Sequence, residues 1–185
     1  MFDTDEQPRA TTMEGLAKLK PVFRTDGKGK VTAGNSCGRS DGGRRPAADE
    51  RREGRRSWGV KPHGPASWPT PSWAWIPASW GIGPVPAVRK VLEKAGLTLD
   101  DIGMIELNEA FAAQSLAVIR ELGLDMAKVN VSGGAIAMGH PLGATGGRIL
   151  TTLVHGMKRT RTRYGIATLC MGGGQGGATL LELAD

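Results

Sequence analysis

The carboxyl-terminal stretch Tyr164-Gly165-Ile166-Ala167-Thr168-Leu169-Cys170-Met171-Gly172-Gly173-Gly174-Gln175-Gly176-Gly177-Ala178-Thr179-Leu180-Leu181-Glu182-Leu183 decides the fold. Residues 164–170 and 178–183 read as two strands joined by a glycine turn. Gly172, Gly174 and Gly177 satisfy the spacing G-x-G-x-x-G. A dinucleotide fingerprint, however, must open a helix whose N-terminus meets the pyrophosphate. A strand follows here, so that reading is rejected. What remains is a thiol, Cys170, at a strand end beside the backbone N–H groups of a glycine loop, an arrangement suited to a developing oxyanion. The plainer reading of an isolated cysteine is a buried, inert side chain.

Upstream, the periodicity alternates between helix and strand. Val85, Val88, Val91, Leu92 and Ala95 fall at helical spacing, with Gly96 where a terminating glycine belongs. Met104-Ile105-Glu106-Leu107 predicts a short strand. Phe111, Ser115, Val118, Ile119 and Leu122 predict a second helix closed by Gly123. Val129-Asn130-Val131 reads as a strand, followed by the glycine-rich run from Ser132 to Gly147. Ile149, Leu150, Leu153, Val154 and Met157 predict a third helix, with Lys158 and Arg159 favourable at its negative end. Helices alternating with strands and closing on a hairpin give an α/β layered sheet. Near the amino end, Thr11-Thr12-Met13-Glu14 reads as a capping box with Thr11 as cap, opening a helix to about Leu19 that Pro21 stops. Val22-Phe23 and Val31-Thr32 flank a loop.

Two further loops place polar groups among small residues. In Asn108-Glu109-Ala110-Phe111-Ala112, the plain reading of Asn108 is a helix cap. In Gly139-His140-Pro141-Leu142-Gly143-Ala144-Thr145-Gly146, the histidine has little bulk around it to make it a core residue. The glycines would let a substrate or a second backbone approach.

Charge and composition separate a third region. Residues 36–80 hold seven Arg and one Lys against two Asp and two Glu, a net charge of +4 out of the +6 of the whole chain. All five Trp and six of the 11 Pro lie there, without Leu, Met or Phe, so the segment cannot supply a core face and is expected to be disordered. Three units follow: residues 1–35, the foreign segment 36–80, and the patterned unit 81–185. The two cysteines, Cys37 and Cys170, stand 133 positions apart, which excludes a disulfide-framed secreted module and a four-ligand zinc site. The start Met1-Phe2-Asp3-Thr4-Asp5-Glu6 has no apolar core like that of a secretion signal, and no apolar run is long enough to span a bilayer. A cytoplasmic protein without membrane partners is expected. A nucleic-acid reading would rest on the Arg and Trp of 36–80 alone, because the rest of the chain is nearly neutral.

Asn-Glu-Ala-Phe-Ala at 108–112, Gly-His-Pro-Leu-Gly-Ala-Thr-Gly at 139–146 and Cys-Met-Gly-Gly-Gly at 170–174, in that order, resemble the carboxyl-terminal half of the thiolase family. Residues 2–9 and Val31-Thr32-Ala33-Gly34-Asn35 resemble the family just before its midpoint. The resemblance implies a thiolase-like layered mixed sheet, with 81–185 as the carboxyl-terminal domain and 1–35 as a remnant of the region before it. It implies acyl transfer on coenzyme A thioesters: thiolysis of a 3-oxoacyl thioester, or Claisen condensation of acetyl-CoA, as in fatty acid metabolism. Acyl-CoA is then a substrate rather than a permanently bound cofactor, no metal is called for, and the intact family implies a homo-oligomer. His140 matches the histidine that activates the acylated cysteine, and Cys170 the cysteine that moves the α-carbon proton. Asn108 matches the asparagine that holds a water in an oxyanion hole, and the Gly172 amide a backbone donor near the acyl group. Phe111 matches a residue lining the pantetheine path. Ser36 and Cys37 fall in a segment near the coenzyme, with Cys37 where the family usually has serine.

The acylated cysteine belongs to the family's amino-terminal half, to which neither Cys37 nor Cys170 corresponds, so this chain alone is expected not to turn over. Acid–base assistance by itself contributes roughly 10²–10⁴-fold. A non-catalytic module that binds coenzyme A or a partner is the alternative. Loss of the aliphatic strands of the family in 36–80 is expected to uncover a sheet edge. A shift of reading frame accounts for the Trp, Arg and Pro excess with one cause. Trp has the single codon TGG, which read from its third base yields Leu, Met or Val and then a codon beginning with G. With permitted codons, residues 66–80 can be so reread as Ile-Val-Ala-Asp-Ala-Glu-Leu-Gly-Val-Asp-Pro-Gly-Val-Met, similar to the family and leading directly into Gly81.

Overall fold

The computed structural model describes residues 3–42, 60–62 and 81–184. Of the segment 36–80 expected to be disordered, residues 36–42 and 60–62 are described, the latter as a strand, while residues 43–59 and 63–80, with all five Trp and most of the Arg, lie outside the described residues.

Helix α1 (Met13–Ala17) is capped by Thr12, whose hydroxyl accepts from the Gly15 amide; Thr11 is not the cap, and the helix stops two residues short of Leu19. Strand β1 (Val60–Pro62) follows. Helix α2 (Pro84–Ala95) starts on a proline, whose missing N–H costs nothing in a first turn, and ends on Gly96 at φ 68°. Strand β2 (Met104–Leu107) leads to helix α3 (Ala112–Leu122), closed by Gly123 at φ 67°. A short helix α4 (Ala135–Met138) lies within the glycine-rich run that reads as loop. Helix α5 (Thr145–Thr160) also begins inside that run, a turn earlier than its apolar pattern indicates. Strands β3 (Tyr164–Met171) and β4 (Gln175–Leu183) form the hairpin read from the sequence.

The sheet order is β1-β4-β3-β2, with β2 and β3 parallel and the other two pairs antiparallel. Strand alternation sorts its side chains onto two cores. Ile105, Leu107, Ile166 and Leu180 face helices α2 and α3, while Met104, Ala167 and Leu181 face Ile149, Leu153 and Met157 of α5. The result is a three-layer α/β/α domain around a mixed sheet.

The strand expected at Val129–Val131 is a single bridge, Ile105 to Val129. Asn130 sits at φ 48°, which ends any extended run. Its side chain takes over the pairing: Oδ1 accepts from the Leu107 amide and Nδ2 donates to the Leu107 carbonyl, both at 2.8 Å. That covers one edge of the sheet at β2. At the other edge β1 pairs with residues 181–183 of β4. The hairpin is held against the start of α2 by two glycines; a Cβ on Gly176 would lie 2.0 Å from the Gly83 carbonyl oxygen.

Candidate functional site

The site gathers at the carboxyl ends of β2 and β3. Asn108 follows β2, and its amide continues the ladder by donating to the Thr168 carbonyl at 3.0 Å. It is not a helix cap, because Phe111 occupies that position for α3. The Asn108 side chain is 0% exposed.

Residues 36–39, part of the compositionally foreign segment, lace two of the three loops together. Ser36 bridges Phe111, the Cys37 amide donates to the Ala110 carbonyl at 3.2 Å, and the His140 amide donates to the Gly38 carbonyl at 2.8 Å. Arg39 bridges His140 in the parallel sense. The Ser36 hydroxyl donates to the Thr32 carbonyl at 2.7 Å, which ties it to its own turn. Phe111 meets Phe23 edge-to-face, with ring centroids 6.2 Å apart.

The proton position of His140 follows from where the Thr145 hydroxyl hydrogen is assigned. The Thr145 hydroxyl donates to the Pro141 carbonyl at 3.0 Å, so its lone pair is what faces His140 Nδ1 at 2.6 Å. Nδ1 therefore carries the hydrogen and Nε2 keeps its lone pair. Burial, reinforced by the Arg148 charge, lowers the pKa of His140 and keeps the ring neutral. A neutral imidazole with Nε2 open is a proton acceptor.

Cys170 sits one residue before the end of β3, paired with Gly176. Burial pushes its thiol up to about 11, and the neighbouring Cys37 thiol adds to the rise. Burial likewise raises Cys37, with a contribution from Glu109. Cys170 is thus a protonated thiol at rest. Both cysteines are free, partly buried thiols coupled through space. Gly172 opens the exposed turn after Cys170.

Sequence reasoning passed over three charged residues. Glu106 shares the face of β2 with Met104, so it points toward α5, and it is 1% exposed. Arg148, in the first turn of α5, donates from Nη2 to Asn108 Oδ1 at 3.5 Å. Burial raises Glu106 to about 7, opposed by the attraction of Arg148 and aided by the repulsion of Glu109. Glu109 accepts from the Ile136 amide at 3.0 Å and from Asn130 Nδ2 at 3.2 Å, which ties the Asn108 loop to α4. A glutamate inside a four-residue, wholly buried strand was the available signal, since a buried carboxylate demands a partner.

Among the described residues no group of His, Cys, Asp or Glu is placed to hold a metal, and no helix is long and apolar enough to cross a membrane. A surface hollow of about 300 Å³ lined by Lys158, Arg161, Leu183 and Ala184 lies at the far end of β4 from the glycine turn.

Residues 70–183 match the thiolase carboxyl-terminal domain, and residues 1–45 match the thiolase amino-terminal domain. The chain belongs to the thiolase family. It is 54% identical over 184 residues to an acetyl-CoA acetyltransferase of Pseudomonas aeruginosa, covering 97% of this chain and 45% of that protein. It is 46% identical over 181 residues to the cytosolic acetyl-CoA acetyltransferase of Mus musculus, covering 96% of this chain and 45% of the relative. The fold of this thiolase chain is similar to that of human mitochondrial 3-ketoacyl-CoA thiolase in complex with CoA. The TM-score is 0.78 at 40% identity, covering 98% of this chain and 45% of the human one. It is also similar to the Bacillus anthracis acetyl-CoA acetyltransferase, with a TM-score of 0.82 at 45% identity, covering 96% and 44%. The chain thus spans a little under half the length of the thiolases it matches.

Proposed function

We propose that this thiolase-family chain carries the acid–base half of an acyltransfer centre acting on acyl-CoA in the cytoplasm. The observation behind this reading is the lacing of residues 36–39 between the Asn108 loop and the His140 loop, beside the Cys170 thiol. Each residue then has a chemical task. The Cys170 Sγ–H, protonated at rest, gives its proton to the α-carbon of an enolate leaving during thiolysis. In the condensing direction the Cys170 thiolate takes that proton from acetyl-CoA. Charge accumulates on the thioester oxygen as the α-carbon loses its proton, and Asn108 Nδ2 and the Gly172 amide are donors suited to it. His140 Nε2 accepts the proton of a thiol nucleophile. That nucleophile would come from outside Cys37 and Cys170, so complete turnover requires a thiol that these motifs do not supply. Phe111, Ser36 and Cys37 are assigned to the pantetheine side of the site.

The reaction accessible to these residues alone is exchange of the acetyl-CoA α-protons with solvent. Acetyl-CoA incubated with the chain in D₂O should gain deuterium at its methyl group, read by proton NMR, and Cys170→Ala should abolish the gain. Coenzyme A retained without exchange would mark a binding module instead. Neither exchange nor retention would defeat both.

A further inference from the structure

Among the described residues, four buried polar atoms around the Asn108 loop have no hydrogen-bond partner: Glu106 Oε1, Asn108 Nδ2, Arg148 Nε and Arg148 Nη1. They belong to three side chains, from β2, the loop after it and α5, joined by the Arg148–Asn108 hydrogen bond and the attraction between Arg148 and Glu106. A carboxamide in a buried pocket has two orientations that differ by a half-turn, and they present opposite groups. One offers a donor to the site and the other an acceptor. A guanidinium has donors only, so whichever end of the amide it touches must be the oxygen. Arg148 Nη2 touches Asn108 Oδ1. The other end, Nδ2, is wholly buried and unpaired.

We propose that Arg148 is a positioning residue: by holding Asn108 Oδ1 it presents the Asn108 NH₂ group as a fixed donor to the oxygen of a bound thioester or to a water on it. Glu106 and Glu109 balance the buried charge of Arg148. Glu106 does so from the face of β2 that packs against α5, and Glu109 from the loop that it ties to α4. Reversed, the amide would set an acceptor against the developing negative charge. This assignment rests on the acid–base reading of the site, and its test separates the two.

The experiment compares the wild-type chain with Arg148→Gln and Arg148→Lys by two readouts. The first is the acetyl-CoA α-proton exchange rate at saturating substrate, set beside the dissociation constant for acetyl-CoA. Losing an oriented donor is expected to slow exchange by roughly 10²-fold in Arg148→Gln, with the dissociation constant changed less than about threefold. Arg148→Lys, which keeps a cation able only to donate, should recover at least a tenth of the lost rate. The second readout does not involve activity. The side-chain ¹⁵N–¹H₂ resonances of Asn108, assigned by their disappearance in Asn108→Asp, should move in Arg148→Gln and return toward wild type in Arg148→Lys. Unmoved Asn108 resonances in a folded Arg148→Gln would overturn the assignment, as would equal losses of rate and of binding. If wild-type protein shows no exchange, the acid–base reading fails and the Asn108 resonances alone decide the role of Arg148. If Arg148→Gln does not fold, Arg148→Lys decides: resonances and rate near wild type support the assignment, and displaced resonances with undiminished exchange overturn it.

Discussion

Thr145 Oγ1 lies 2.6 Å from His140 Nδ1 and gives its only hydrogen to the Pro141 carbonyl, so a residue five positions along the chain sets the tautomer of the histidine. A neutral hydrogen bond of this kind contributes about 1 kcal/mol, roughly a fivefold bias between tautomers. Thr145→Val should therefore leave His140 as a mixture of Nδ1–H and Nε2–H forms. The imidazole ¹⁵N shifts report it directly, and acetyl-CoA exchange should change far less than in Cys170→Ala, since the proton at the α-carbon is assigned to Cys170.

Glu106 makes the fold pH-sensitive in a definite direction. Its carboxyl is raised from 4.5 to about 7 by burial, so the folded state favours the neutral acid. Its contribution is fully present below pH 4.5 and is lost as pH rises through about 7, amounting to about 3 kcal/mol. Glu106→Gln stays neutral throughout. Urea denaturation at a series of pH values should show the variant gaining on wild type between pH 5 and pH 8 by an amount of that order. A constant difference across that range would contradict the buried acid.

Cys170 should be a poor nucleophile at rest. With its thiol near 11, about one molecule in a thousand is thiolate at pH 8. Alkylation by iodoacetamide, followed by peptide mass at Cys170, should accelerate close to tenfold per pH unit up to about pH 10. Reaction that levels off near pH 8 would mean an activated thiolate instead.

The contact of Gly176 with Gly83 leaves no room for a side chain. A Cβ at Gly176 would lie 2.0–2.6 Å from the O, C and N atoms of the Gly83–Pro84 peptide, and backbone cannot rotate out of the way. Gly176→Ala should cost about 2–3 kcal/mol and lower the melting temperature by roughly 5–10 °C, as circular dichroism would measure. Gly172→Ala, with open space at its Cβ position, should leave the melting temperature within about 2 °C of wild type.

The nucleotide sequence across codons 36–80 gives a further check. Read in the shifted frame, the codons of residues 66–80 should encode the aliphatic segment that leads into Gly81. Senseless codons in every frame would make the Arg- and Trp-rich segment a genuine part of the protein.

Much of this fold was legible because it rests on local rules. Helix α2 has an apolar stripe, a proline in its first turn and a glycine after its last, and α3 ends on a glycine in the same way; each signal lies within a dozen residues. The hairpin was legible because two β-rich runs flank glycines. The Val129–Val131 segment misled because its apolar residues look like a strand, while Asn130 takes a left-handed backbone and pairs through its side chain. Only the neighbouring β2 edge makes that arrangement favourable. The onset of α5 inside Thr145-Gly146-Gly147 was likewise hidden, because glycines predict loop until packing against β2 and β3 overrides them.

The order of the three polar loops, the thiol at a strand end and the family were carried by the sequence alone, since motif identity and spacing are one-dimensional properties. What tertiary structure decided is how those groups stand toward one another. Residues 36–39 join two loops from within a segment whose composition looks foreign. Glu106 reads as an ordinary strand residue until the pleat turns it toward α5, and Arg148 reads as a helix-start cation until α5 packs over β2. The orientation of the Asn108 amide, the tautomer of His140 and the protonation of Cys170 all depend on burial and on partners 5 to 133 residues away. Desolvation and hydrogen-bond direction act across space, and no pattern read along the chain encodes them.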